Sequence, residues 1–142
     1  MELNELYSEV IKEHSISGHN KKHLPYATIV APGRNPSCGD EIELELQMEN
    51  GIIKDSAFTG VGCAISQASI SIMIDLVRGR TAQDARRLAE LFLKMALRQP
   101  LLPDELQELE DAAALQNISD MPARVKCATM PWHTLLKALD SI

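Results

Sequence analysis

The chain has 142 residues, 14 Lys and Arg against 20 Asp and Glu, and a formal net charge of −6. That length suits one domain with a real core, and 45% hydrophobic with 24% charged residues is ordinary for a soluble globular protein. The acidic balance and the 4% of aromatic residues argue against a nucleic-acid binder, and an odd count of 3 cysteines argues against a disulfide-stapled secreted domain.

Leu3, Leu6, Tyr7, Val10 and Ile11 repeat at helical spacing and predict a short amphipathic helix, with Glu2, Glu5 and Glu9 turned outward or sideways. Those glutamates do not fit a signal peptide, so the expected compartment is the reducing cytoplasm. Ser15 to Pro25 reads as a loop carrying His19, Lys21, Lys22 and His23, and Tyr26 to Ala31 as a first strand closed by Pro32-Gly33. Ile42, Leu44, Leu46 and Met48 alternate with Glu41, Glu43, Glu45 and Gln47, which predicts a strand with one buried and one solvated acidic face. Asn50-Gly51 predicts a tight hairpin and Ile52 to Thr59 the return strand.

Ser56 to Ile74 is free of charge but too rich in Ser, Gln and Gly to face lipid, so no membrane association is expected. Ala64 to Val77 reads as a buried helix whose small residues permit close packing, with Arg78-Gly79 at its end. Thr81 and Asp84 resemble a capping box opening a helix that buries Leu88, Leu91, Phe92 and Met95. Pro100 and Pro103 precede a helical stretch from about Asp104 to Leu115, Asn117 to Pro122 reads as a break, and Ala123 to Ile142 as a final helix. No repeat or linker divides the chain, so a single domain over 1–142 is expected, of α+β class, with a small antiparallel sheet packed against several helices.

The three cysteines fall at or near element ends: Cys38 in a loop before the alternating strand, Cys63 entering a helix, Cys127 near the start of the last helix. A helix N-terminus favours the Cys63 thiolate, and Arg124 and Lys126 are placed to do the same for Cys127. Gly39 and Gly62 allow close backbone approach. Asp40, two residues after Cys38 on an extended backbone, is a natural fourth ligand for a Cys3Asp tetrahedron. The separations are too long for a zinc ribbon, and each cysteine taken alone is equally consistent with a small buried hydrophobe. Neither HExxH nor HxE…PCxxC occurs, which argues against a zinc hydrolase or nucleobase deaminase. His19 and His23 are candidate ligands but, in a Lys-containing loop, read first as solvated, and His133 reads as surface packing with a partner-facing role as the alternative.

Asn35-Pro36-Ser37-Cys38-Gly39-Asp40, Gly60-Val61-Gly62-Cys63-Ala64-Ile65-Ser66 and Arg124-Val125-Lys126-Cys127-Ala128 with Trp132 together resemble the U-type iron–sulfur cluster assembly family, which includes IscU scaffolds and the NifU N-terminal domain. Lys126 stands where the IscU branch has His, and the segment between Cys63 and Cys127 is longer than in that branch. Both features are similar to the zinc-containing SufU-like branch. The resemblance implies a SufE/NifU-like fold and one zinc on Cys38, Asp40, Cys63 and Cys127, with Arg124 and Lys126 around it. It implies a sulfurtransferase in which Cys38 accepts persulfide sulfur from a pyridoxal-phosphate cysteine desulfurase of the SufS type. A His of that partner displaces Cys38 from the metal, and the sulfur passes on to downstream SUF proteins. The other readings are a scaffold for a transient [2Fe–2S] cluster on the same ligands and a structural zinc module that binds partners.

Overall fold

The computed structural model describes the backbone of residues 3–142 and the side chains of residues 9–142. The predicted facing of Leu3, Leu6 and Tyr7, and of Glu2 and Glu5, lies outside the described residues. The first helix, α1, runs Leu3–Ser17, so Ser15 to Ser17 belong to it rather than to a loop. Val10 is half-buried and Ile11 buried on its inner side.

Three strands follow: β1 (Ile29–Asn35), β2 (Asp40–Glu49) and β3 (Ile52–Val61). They form one antiparallel sheet in the order β1-β2-β3. Ala31 and Phe58 flank Leu44, and Ile29 and Ser56 flank Leu46. Ile42, Leu44 and Leu46 are buried as their alternation dictates, and Met48 is partly buried beyond a register shift at Gln47/Met48. Asn50 (φ 55°) and Gly51 (φ 78°) make the hairpin turn.

The sheet departs from expectation in three places. β1 begins at Ile29 and continues through Pro32 and Gly33 to Asn35. An edge strand holds proline where the missing N–H faces away from its neighbour. At Gly33 a Cβ would collide with Thr134 Oγ1 and lie 2.9 Å from Met130 Sδ, so glycine lets the last helix close onto the strand. β3 runs two positions further, to Val61. Glu45 does not face water. It is 4% exposed, because residues 20–22 pair with the free edge of β3 at Phe58 and so bring His23 and Leu24 onto Glu45. Its Oε1 accepts from the Leu24 N–H at 2.9 Å, and its Oε2 lies 2.6 Å from His23 Nδ1.

The helices α2 (Ala64–Val77), α3 (Ala82–Ala96), α4 (Pro103–Glu108) and α5 (Pro122–Asp140) complete the fold. Serines in α2 do more than keep the helix thin. Ser69 Oγ donates to the Ala128 carbonyl at 2.6 Å and accepts from Trp132 Nε1 at 2.9 Å, locking α2 to α5. Trp132 stacks on Phe92 of α3 with ring centroids 4.0 Å apart. Thr81 caps α3 by accepting from the Asp84 N–H at 3.1 Å. Leu88, Leu91, Phe92 and Met95 are buried.

The stretch expected as one helix over Asp104 to Leu115 is broken. α4 ends at Glu108, Glu110 takes φ 50°, and a 3₁₀ helix spans Glu110–Asp120, through the expected break at Asn117. The reason is a period of three. Leu109, Ala112, Leu115 and Ile118 are all 0% exposed, and three residues per turn bring such a series onto one line. None of the described helices is long and apolar enough to cross a membrane.

Candidate metal centre

Cys38 lies in the turn between β1 and β2, half-buried, its N–H bonded to the Asn35 carbonyl at 3.2 Å. The following residue, Gly39, has φ 71°, which favours glycine. The backbone from Cys38 to Asp40 is thus a turn rather than the extended segment expected. The turn still delivers both side chains to one place: Asp40, the first residue of β2, is 2% exposed beneath it.

Cys127 comes from the second turn of α5 and is fully buried. Its sulfur is 2.9 Å from Cys38 Sγ. One ligand atom each from Cys38, Asp40 and Cys127 fall within 4.8 Å of one another. Asn35 Nδ2 donates to Asp40 Oδ2 at 3.4 Å and to Cys127 Sγ at 3.5 Å, fastening the carboxylate and the sulfur from below. Asn35 was not singled out in the sequence; its place in the Asn35-Pro36 turn directly before Cys38 was the available signal.

Cys63 is the residue before α2, with φ −73° and ψ 169°. Its N–H donates to Asp40 Oδ1 at 2.9 Å. A Cβ on Gly62 would lie 2.8 Å from that same oxygen, so the close approach requires glycine there. The Cys63 sulfur stands outside the 4.8 Å cluster, 3.7 Å from Ser66 Oγ. Both Asp40 oxygens are therefore oriented by donors on different elements, and all four expected residues meet at one end of the sheet.

The electrostatics of the thiols differ. Burial raises the Cys63 thiol, but the Ser66 N–H, the Ser66 hydroxyl and Cys127 outweigh it and leave it below the usual value. The helix terminus thus favours its thiolate, as expected. Cys127 goes the other way. Burial first, then its contacts with Cys38 and Cys63 and the charges of Cys63 and Asp40, push it well up. Arg124 bonds to Cys127 and so acts in the expected direction, but burial outweighs it and the thiol stays raised; Lys126 is exposed. Arg124 itself is held above its ordinary value, first by its hydrogen bond to Cys127 and then by the charges of Cys63 and Cys127.

Three sulfurs and one carboxylate match the donor set and the four-coordination of zinc. On that chemistry the residues present fit a single zinc ion. A groove of about 530 Å³ opens alongside, between β1 and α5, lined by Arg34, Ser37, Lys126, His133 and Lys137 among others. His133 is exposed at its rim. His19 and His23 are far from this centre in their bonding: His19 pairs with Asp75 at 3.0 Å and His23 with Glu45.

Comparison with known proteins gives a consistent family. The profile of the NifU-like N terminal domain matches residues 6–128. An iron–sulfur cluster assembly scaffold protein IscU of Thermotoga maritima is 39% identical over 137 residues, covering 96% of this chain and 94% of its own. The zinc-dependent sulfurtransferase SufU of Bacillus subtilis is 38% identical over 137 residues, covering 96% and 91%. A crystal structure from Fervidobacterium islandicum AW-1, described as an iron–sulfur cluster assembly scaffold protein for the SUF system, superimposes with a TM-score of 0.88 at 34% identity, covering 96% of this chain and 98% of that one.

Proposed function

The chain belongs to the NifU-like N-terminal domain family, and from that premise we propose that it accepts persulfide sulfur at Cys38 and relays it to iron–sulfur cluster assembly. The donor in this reading is a pyridoxal-phosphate cysteine desulfurase of the SufS type. The whole chain, 1–142, acts as one domain in the cytoplasm, with SUF assembly proteins downstream.

The observation that carries the reading is the contrast between Cys38 and Cys127. Cys38 sits half-buried on a short turn, whereas Cys127 is locked in a helix and fully buried. A thiol on a turn can swing out to meet a donor sulfur. Zinc would be held by Cys38, Asp40, Cys63 and Cys127, and supplies deprotonated thiolates without redox chemistry of its own. The transfer is thiol–disulfide-type exchange. The Cys38 thiolate attacks the outer sulfur of the donor persulfide, the donor S–S bond breaks, and the donor cysteine leaves as a thiolate. Cys38 then carries the persulfide, and no net electrons change hands. Asp40 stays in place through its bonds to Asn35 and the Cys63 N–H while Cys38 moves. The cations Arg34, Lys126 and Lys137 beside the turn suit an acidic surface on the partner.

A second reading, a scaffold on which a [2Fe–2S] cluster is built, is favoured by the name of the Thermotoga relative. One experiment separates the two. The purified protein is assayed for metal, then incubated with the desulfurase and L-cysteine. Sulfur relay predicts about one zinc per chain, an added sulfur on Cys38 by mass spectrometry, and loss of desulfurase stimulation in Cys38→Ala. An iron-loaded protein that passes a cluster to an acceptor supports the scaffold instead. Tight zinc with neither persulfide nor stimulation leaves a structural module and overturns both.

A further inference from the structure

The far end of α2 carries a second constellation. Cys63 precedes the helix and Asp75 lies in its last turn, so about 18 Å of helix separates the two ends. Here the end of α1 and the segment after it bring His14 and His19 to Asp75. One ligand atom from each falls within 4.8 Å of the others.

The three side chains are held in the manner of metal ligands. His14 Nδ1 is 2.9 Å from Ser71 Oγ and His19 Nδ1 is 2.7 Å from Ser17 Oγ. A hydroxyl on one ring nitrogen fixes the imidazole; the other nitrogen of His19, Nε2, also lies 3.1 Å from Asn20 Nδ2, a contact that a bound ion would replace. His19 Nε2 already points at Asp75, 3.0 Å from Oδ2. The carboxylate is oriented as well. Asp75 Oδ1 accepts from Asn20 Nδ2 at 3.0 Å and from Arg78 Nη1 at 3.1 Å, which turns Oδ2 toward the histidines. A small cavity of about 100 Å³ adjoins, lined by His14 and Asp75 together with Glu110 and Asp111.

We propose that His14, His19 and Asp75 form a second metal site, for a divalent first-row transition ion, separate from the cysteine centre. Two imidazoles and a carboxylate select such ions over Mg²⁺ or Ca²⁺, which take oxygen ligands. The positive charge of Arg78 on Asp75 makes the site weaker than a thiolate centre and the ion exchangeable. When filled, it joins the end of α1 to α2.

Cobalt(II) titration tests this with the full chain, first loaded with one equivalent of zinc. Thiolate-bound cobalt shows intense sulfur-to-metal charge-transfer absorption, whereas nitrogen and oxygen ligation shows only weak d–d bands. The two centres are therefore scored separately whatever the cysteines bind. The expected result is one cobalt per chain without charge-transfer absorption, weakened about tenfold or more in His14→Ala and in His19→Ala and retained in Cys38→Ala. His19 is exposed, so its substitution leaves the fold standing. Amide exchange in residues 9–17 is expected to slow on metal addition in the native chain and not in His19→Ala. Absence of a nitrogen–oxygen cobalt signal, or its survival in both histidine variants, overturns the proposal.

Discussion

Glu45 shows how much a single side chain can depend on a segment remote in sequence. The alternation of β2 assigns it to a wet acidic face with Glu41 and Glu43, and those two are exposed. Glu45 is instead covered by His23 and Leu24, where it satisfies the buried Leu24 N–H and meets the His23 ring. Glu45→Ala removes the acceptor from a buried donor, a loss of about 1–3 kcal/mol. Urea unfolding of the variant is expected to show a lower midpoint with an unchanged slope. Glu43→Ala, on the exposed part of the same face, is expected to leave the midpoint within about 0.5 kcal/mol. No period-2 pattern could reveal the difference, because the covering segment has no periodicity of its own. The same limit hid His14: it lies on α1, and only the docking of α1 against α2 brings it to Asp75. The cysteine centre was more legible. Asp40 could be named because it follows Cys38 so closely, although a turn rather than a strand brings the two together.

At the scale of elements, regular periods were readable and irregular ones were not. Ile42 to Met48, Asn50-Gly51 and the apolar face of α3 each follow a local rule that the tertiary structure does not override. β1 was displaced because Pro32-Gly33 looks like a terminator, whereas an edge position and the close packing of α5 make both residues acceptable within the strand. The segment after α4 was read at 3.6 residues per turn when its buried residues recur every three. That segment packs against α2, α3 and α5, so its apolar line is part of the main core rather than a surface decoration. Leu115→Ala is accordingly expected to destabilise by about 2–5 kcal/mol, measured by chemical denaturation. A value below about 1 kcal/mol would mean that the segment is only loosely attached.

Across the whole molecule, Arg78 is a junction. Its Nε meets Asp55 of β3 at 3.0 Å, its Nη1 meets Asp75 of α2 at 3.1 Å, and its Nη2 reaches Asn20 at 2.6 Å. Both carboxyls lie below their ordinary value. In each, burial acts to raise it and is outweighed, at Asp55 by the Ser56 N–H and Arg78, at Asp75 by Asn20, His19 and Arg78. A carboxyl depressed by folding binds fewer protons in the native than in the unfolded state. Its stabilisation is complete above the ordinary Asp value of about 3.9 and is lost as pH falls through the lower folded-state values. Urea midpoints measured from pH 6 to pH 2 are expected to fall most steeply below about pH 4. Arg78→Ala should flatten that fall, and an unchanged profile would place the acid sensitivity elsewhere.

The three-residue period of segment 110–120 also bears on how the chain length can vary. In a 3₁₀ helix each added residue turns everything downstream by about 120°. One or two extra residues would rotate Leu115 and Ile118 out of the core, whereas three would restore every later side chain to its own face. Between Cys63 and Cys127, this is therefore a place where a change in length preserves the buried face only in units of three, each unit adding about 6 Å of helix.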